Sequence, residues 1–278
     1  MAFRPAALLI VALVIAAPKP AAAQGNLVIA PKRVELEGRT RSAAVTVINQ
    51  GSETATYRIF FKNQRMTPEG GLEEIAANEG DVLTADQLVR YSPREVTLAP
   101  GASQSVRLLL RKPGDLANGE YRSHLFFQTV PPPNSGVSLE ESASDGKSIT
   151  VALIPVYGIS IPVIVRHGDL SAAASLSIES AVPTEGTEPP QVRLELGRTG
   201  DRSLYGDIEI THVSANGDET SLARTNGIAI YTPLATRTIT VGIDDEKASL
   251  LKSGGRLVAR YLTQSDKPET LAEAEKPL

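Results

Sequence analysis

Few residues in this chain are equipped for covalent chemistry. The histidines are His124, His167 and His212, each alone and without carboxylates at metal-ligand spacing, so no metal site is expected. No cysteine is present to serve as a nucleophile or thiolate ligand, and neither a G-x-S-x-G turn nor a phosphate loop occurs. A carboxylate pair could still do acid–base work on any β-scaffold, but nothing in the spacing marks one. The expectation is a protein that is not an enzyme and uses no cofactor. His124, within a strand pattern, is expected on a strand surface.

The stretch that stands out is Ser148 to Val165, SITVALIPVYGISIPVIV, eighteen residues without a formal charge. That length approaches a bilayer's thickness. Its composition favours a strand instead: Pro155, Gly158 and Pro162 interrupt helical hydrogen bonding, and β-branched residues dominate the rest. The odd positions from Ile149 to Val165 are large and apolar except Pro155, and the even positions are mixed. Period 2 puts all the odd side chains on one face. Where that face runs past a domain core it becomes an exposed apolar edge, which proteins in water normally avoid. Such a strand needs a partner.

The elements that must position this strand begin with the leader. Arg4, the apolar run Ala6 to Ala17 and Ala21-Ala22-Ala23 before Gln24 have the order of a secretory signal peptide over residues 1–23. Without Arg4 and Lys19 the formal charge moves from -4 to -6, and no basic patch suited to nucleic acid appears. An exported chain with no cysteine must rely on ordinary cores, with no disulfides. No stable membrane span is expected once the leader is removed. The remaining length fits two domains.

From Leu27 onward short β-rich runs alternate with turn signals. In LVIAPKRVEL, Pro31 cannot donate to a ladder, so the strand should switch or kink at Ala30 and Pro31. SAAVTVINQGSETATYRIFFKN reads as a hairpin-like unit, and residues 64–87 as an exposed loop with one short strand. The turn Pro100-Gly101, a strand from Glu120 to Val130 and a Pro- and Ser-rich linker at 131–147 precede the apolar stretch. The expected fold class is all-β, two immunoglobulin-like β-sandwich domains in tandem: 24–167, a smaller 168–265, and a polar tail at 266–278 expected to fray.

The order APKRVEL, VTVIN, SPREVTLAPGASQSVRL, GEYRSHLFFQTVPPP and a long apolar strand ending IPVIVR resembles the periplasmic pilus chaperones, the PapD-like family, over Leu27 to Arg166. APGASQSVRL is the most specific part; the second domain matches only in size and rhythm. The resemblance implies a periplasmic chaperone that lends its last domain-one strand to pilus or coat-like subunits, which is donor-strand complementation. Its partners would be secreted pilin-like or coat-like subunits and an outer-membrane usher. Ile149, Val151, Leu153 and Tyr157 become the donor residues.

In that family a basic pair in the interdomain cleft holds the subunit's terminal carboxylate. Arg33 falls at the family's arginine. The lysine position, four residues before Arg166, is Pro162, which can bond nothing. Either another basic residue supplies the contact, with Arg122 the first choice and Arg90 or Arg94 behind it, or the anchor is weaker, or pilus assembly has been given up. Arg166 matches the arginine that locks the two domains, with acidic partners that the sequence does not place. The alternative function is a structural or cell-surface adhesion module that buries Ile149, Val151 and Leu153 internally and has no transient client.

Overall fold

The computed structural model describes residues 27–77, 79–131, 156–182 and 189–278. The proposed leader, most of the linker, and Ile149, Val151 and Leu153 lie outside these residues. What is described is almost entirely β, arranged as two immunoglobulin-like sandwiches in tandem.

The first sandwich comprises β1 (Leu27–Ala30), β2 (Val34–Leu36), β3 (Ser42–Asn49), β4 (Ala55–Met66), β5 (Leu72–Ile75), β6 (Val89–Ser92), β7 (Glu95–Leu98), β8 (Ser103–Leu110), β9 (Gly119–Val130) and β10 (Gly158–His167). One sheet runs β1-β3-β8-β6 and the facing one β2-β10-β9-β4-β5, with β7 also on β4. The chain changes sheets at Pro31: β1 pairs antiparallel with β3, whereas β2 pairs parallel with β10. Proline's missing N–H makes that residue a natural place to leave a ladder. Alternate residues such as Val45, Val47, Leu108, Leu125, Phe127, Val163 and Val165 fill the space between the sheets.

Two expectations are corrected here. β3 and β4 do not form a hairpin: β3 lies between β1 and β8, while β4 pairs with β9, β7 and β5 on the opposite sheet. Both strands have inward apolar residues, so they meet across the core and not along a ladder. The loop after β4 holds the expected short strand, β5, but is not wholly exposed, since Val82 and Ala85 are buried.

The second sandwich packs β11 (Ala172–Val182), β12 (Gln191–Gly200) and β15 (Thr236–Gly242) against the sheet β14-β13-β16-β17. In that sheet β13 is Leu204–Val213, β14 Glu219–Ile230, β16 Arg256–Thr263 and β17 Thr270–Pro277. The polar tail is therefore an ordered strand. Ala272 and Ala274 turn partly inward, and Glu273 and Glu275 pair with Arg260 and Arg256 across the ladder. Charge alone had suggested fraying; the alternation in LAEAEK, with cross-strand ion pairs, makes an edge strand.

The two sandwiches meet through specific contacts. Met66 and Ile164 pack with Ala229 and Tyr231. The turn after β4 lies against the second domain, where the Thr238 N–H donates to the Pro68 carbonyl at 2.7 Å. Gly70 in that turn has φ +87° and sits so close to the Arg237 guanidinium that a β-carbon would clash with it. Among the described residues no helix is long and apolar enough to cross a membrane.

Candidate functional site

β10 carries the first half of the site. Its odd side chains share one face. Val165 and Val163 are fully buried and Ile161 is 2% exposed, but Ile159 rises to 40% and Tyr157, just before the strand, to 52%. The strand pairs with β9 along its whole length, yet β2 covers its other edge only from Val163 to Val165. Among the described residues the edge from Gly158 to Pro162 has no ladder partner. Tyr157 is fixed to the sheet through its backbone, its carbonyl accepting from the Thr129 N–H at 2.9 Å. An apolar face thus leaves the core along an open strand edge.

The second half lies where this sheet's outer face meets the second domain. The same alternation that turns Tyr121, Leu125 and Phe127 into the core turns Arg122 and His124 outward, under the second domain. Arg33 enters this region from the residue before β2. Its Nε donates to Glu35 at 2.5 Å, and its guanidinium lies 4.2 Å from the Tyr205 ring and 5.9 Å from that of Tyr231. Arg122 is 1% exposed, with its Cζ 4.1 Å above the Tyr231 ring; its Nη2 donates to the Gln64 carbonyl at 3.1 Å.

The remaining nitrogens, Nη1 and Nη2 of Arg33 and Nε and Nη1 of Arg122, are buried without a hydrogen-bond partner among the described residues. Each such donor costs about 1–3 kcal/mol, more on a charged group. Burial pulls the Arg122 guanidinium down to about 10, the charges of Tyr231 and Glu120 working against the shift and that of Arg33 with it. Arg122 would still be protonated at neutral pH. Two cations with buried, unpaired N–H groups are suited to an anion. Arg33 also lines an interdomain cavity of about 480 Å³, together with Arg166, Ser203 and Tyr205.

Of the other arginines weighed for this cleft, Arg90 lies on β6 of the opposite sheet, and Arg94 stands near Tyr91, 5.3 Å from its ring. Neither joins the group around Tyr231. His124 is corrected from strand surface to interior: it is 2% exposed, because the second domain covers its face of the sheet. Sequence reasoning also missed Tyr231 and Tyr205, which lie in ordinary strand patterns far along the chain.

Arg166 has the acidic partners that the sequence left unplaced. Its Nε donates to Glu120 at 2.9 Å, and its Nη1 to Glu35 at 2.8 Å and to Glu37 at 3.0 Å. Glu120 also accepts from the second domain: the Ser203 N–H at 3.1 Å, the Ser203 hydroxyl and the Thr232 hydroxyl. Burial lowers the Arg166 guanidinium, but the hydrogen bond to Glu35 and the Glu120 and Glu35 charges outweigh it, leaving a net upward shift. For Glu35, burial pushes the carboxyl up, and the hydrogen bonds from Arg166 and Arg33 bring it below the ordinary range. This network ties both domains together beside the two arginines with unpaired donors.

No family model matches the chain. No curated protein matches it. Among solved structures, the chain is similar to the class 5 fimbriae chaperone CfaA at 17% identity and a TM-score of 0.43, over 91% of this chain and 98% of that one. It is similar to the YadV chaperone at 11% identity and a TM-score of 0.46, over 91% and 100%. It is also similar to a chain of the CsuC–CsuE chaperone–tip adhesion subunit pre-assembly complex of Acinetobacter baumannii at 14% identity and a TM-score of 0.46, over 90% and 98%.

Proposed function

We propose that this chain is a periplasmic chaperone that binds and stabilises secreted pilus or coat-like subunits by donor-strand complementation through its last domain-one strand. The observation that carries this reading is the burial gradient on β10, from Ile161 at 2% to Tyr157 at 52%, along an edge with no ladder partner among the described residues. Such an edge adds a strand to an incomplete sheet through backbone hydrogen bonds, while alternate side chains fill the acceptor's groove. In the sequence Ile149, Val151 and Leu153 keep the same odd-position spacing, and with Tyr157 we assign them as the donor residues. Fully burying each contributes about 1.5–3 kcal/mol before association costs.

The arginines supply the other end of the interaction. Arg33 and Arg122 have buried donors without acceptors and would anchor a client's terminal carboxylate, with Arg166 holding the domains at the angle that forms the cleft. An outer-membrane usher would take the loaded subunit onward.

The test is co-purification of the tagged mature chain with secreted β-rich subunits expressed beside it. One-to-one capture by the native chain, lost in Leu153→Glu while the thermal transition stays in place, is the expected result. A folded chain with no companion, or a collapse of the Leu153→Glu variant, would favour a structural module that buries this face internally.

A further inference from the structure

Beside the two arginines, the buried polar atoms without a partner among the described residues include Nδ1 of His124, Oε1 of Gln64 and Nε of Arg237. The Nδ1 of His124 makes no hydrogen bond among the described residues, and the side chain is 2% exposed. In the β9–β10 ladder His124 is directly opposite Pro162, and in the β4–β9 ladder directly opposite Lys62. Directly opposed residues in an antiparallel pair project to the same face. Where the family resemblance expects a lysine, proline projects no donor, and its cross-strand neighbour brings an imidazole to that row.

The Tyr231 ring gathers the three groups. Arg122 lies over it at 4.1 Å, Arg33 at 5.9 Å, and the His124 ring approaches edge-on with centroids 6.2 Å apart. A ring over a guanidinium covers its face, whereas the N–H groups lie in its plane. These contacts therefore leave in-plane donors free on both arginines, beside a histidine with a free nitrogen.

We propose that His124 is the third donor of the carboxylate site, its Nδ1–H completing the set begun by Arg33 and Arg122 in place of the lysine absent at Pro162. The inference rests on the chaperone reading above, and the ligand is the carboxylate that ends a bound polypeptide. A neutral imidazole adds a donor without a third positive charge beside two guanidiniums. Burial, and then the charge of Arg122, pull His124 down to about 3, so it is uncharged at neutral pH. The groups facing it are Arg122 on its own strand, Lys62 on β4, held by Glu74 at 2.6 Å, the uncharged Pro162 on β10 and Tyr231 from the second domain.

The test compares binding of a short labelled peptide of alternating valine and threonine, ending in a free carboxylate, with binding of its C-terminal amide. The native chain is expected to prefer the acid. His124→Phe should lower the acid-over-amide preference about tenfold, and His124→Asn, which keeps an N–H, should retain most of it. An unchanged preference in His124→Phe overturns the proposal while leaving the anchor at Arg33 and Arg122 intact. No acid preference in the native chain removes the anchor itself, and the proposal with it. Should His124→Phe fail to fold, nitrogen NMR of the native chain decides: the His124 Nδ1 signal is expected to shift with the acid and not the amide, and equal responses overturn the assignment.

Discussion

Arg166 on the last strand of the first domain and Glu120 on the neighbouring strand form a buried ion pair, Nε to Oε2 at 2.9 Å, and the same carboxylate accepts from Ser203 and Thr232 of the second domain. The pair is therefore shared by both domains. Removing one member leaves an uncompensated buried charge, which typically costs about 3–5 kcal/mol. Arg166 keeps Glu35 and Glu37, so Glu120→Ala should cost about 3 kcal/mol and split thermal unfolding into two transitions by calorimetry. A single unchanged transition would show that the domains are joined by other contacts.

The end of β10 whose edge has no ladder partner among the described residues makes a sharp contrast on one face. Ile161→Asp places a charge in the core and should unfold the first domain or cost more than about 3 kcal/mol, while Ile159→Asp should change stability by no more than about 0.5–1 kcal/mol. Urea denaturation of both variants checks this. Equal losses would mean that Ile159 is covered in solution.

Among the described residues Arg33 makes one short ion pair, with Glu35, and leaves two nitrogens without partners. Arg33→Ala removes unsatisfied donors along with that pair, so folding stability should fall by about 1 kcal/mol or less. Client capture, measured by co-purification, should weaken at least tenfold. Undiminished capture would remove Arg33 from the anchor.

His124 sets a pH dependence of stability. Its folded value is depressed to about 3, against an ordinary 6.5, so the unfolded chain binds the extra proton as pH falls below about 6.5. The stability present above that value is lost towards pH 3 at about 1.4 kcal/mol per pH unit. Between pH 7 and pH 4.5 the native chain should lose about 2–3 kcal/mol through this residue, and His124→Asn should not. Urea titrations at the two pH values test it, and identical pH slopes in both proteins would refute the buried neutral histidine.

Local alternation and turn chemistry made the strands of both sandwiches readable, including the switch at Pro31, because each depends on residues close in sequence. The partners of β3 and β4 were not readable: inward apolar residues look the same whether strands meet along a ladder or across a core. The site divides in the same way. Arg33, Arg122 and Arg166 fall within motif-bearing segments, but Tyr205 and Tyr231 reach them from the second domain, and no local pattern carries that juxtaposition. The burial of His124 was hidden for the same reason, since its strand face looks solvated until the second domain covers it.

The parallel pairing of Val34 with Val163 has a consequence for how the molecule is made. The beginning of the first sandwich is completed by its end, so a chain delivered from its amino terminus cannot close that domain until Val165 has arrived. Until then Val34 and Leu36 have no neighbour on β10, and the nascent domain is itself a sheet waiting for a strand.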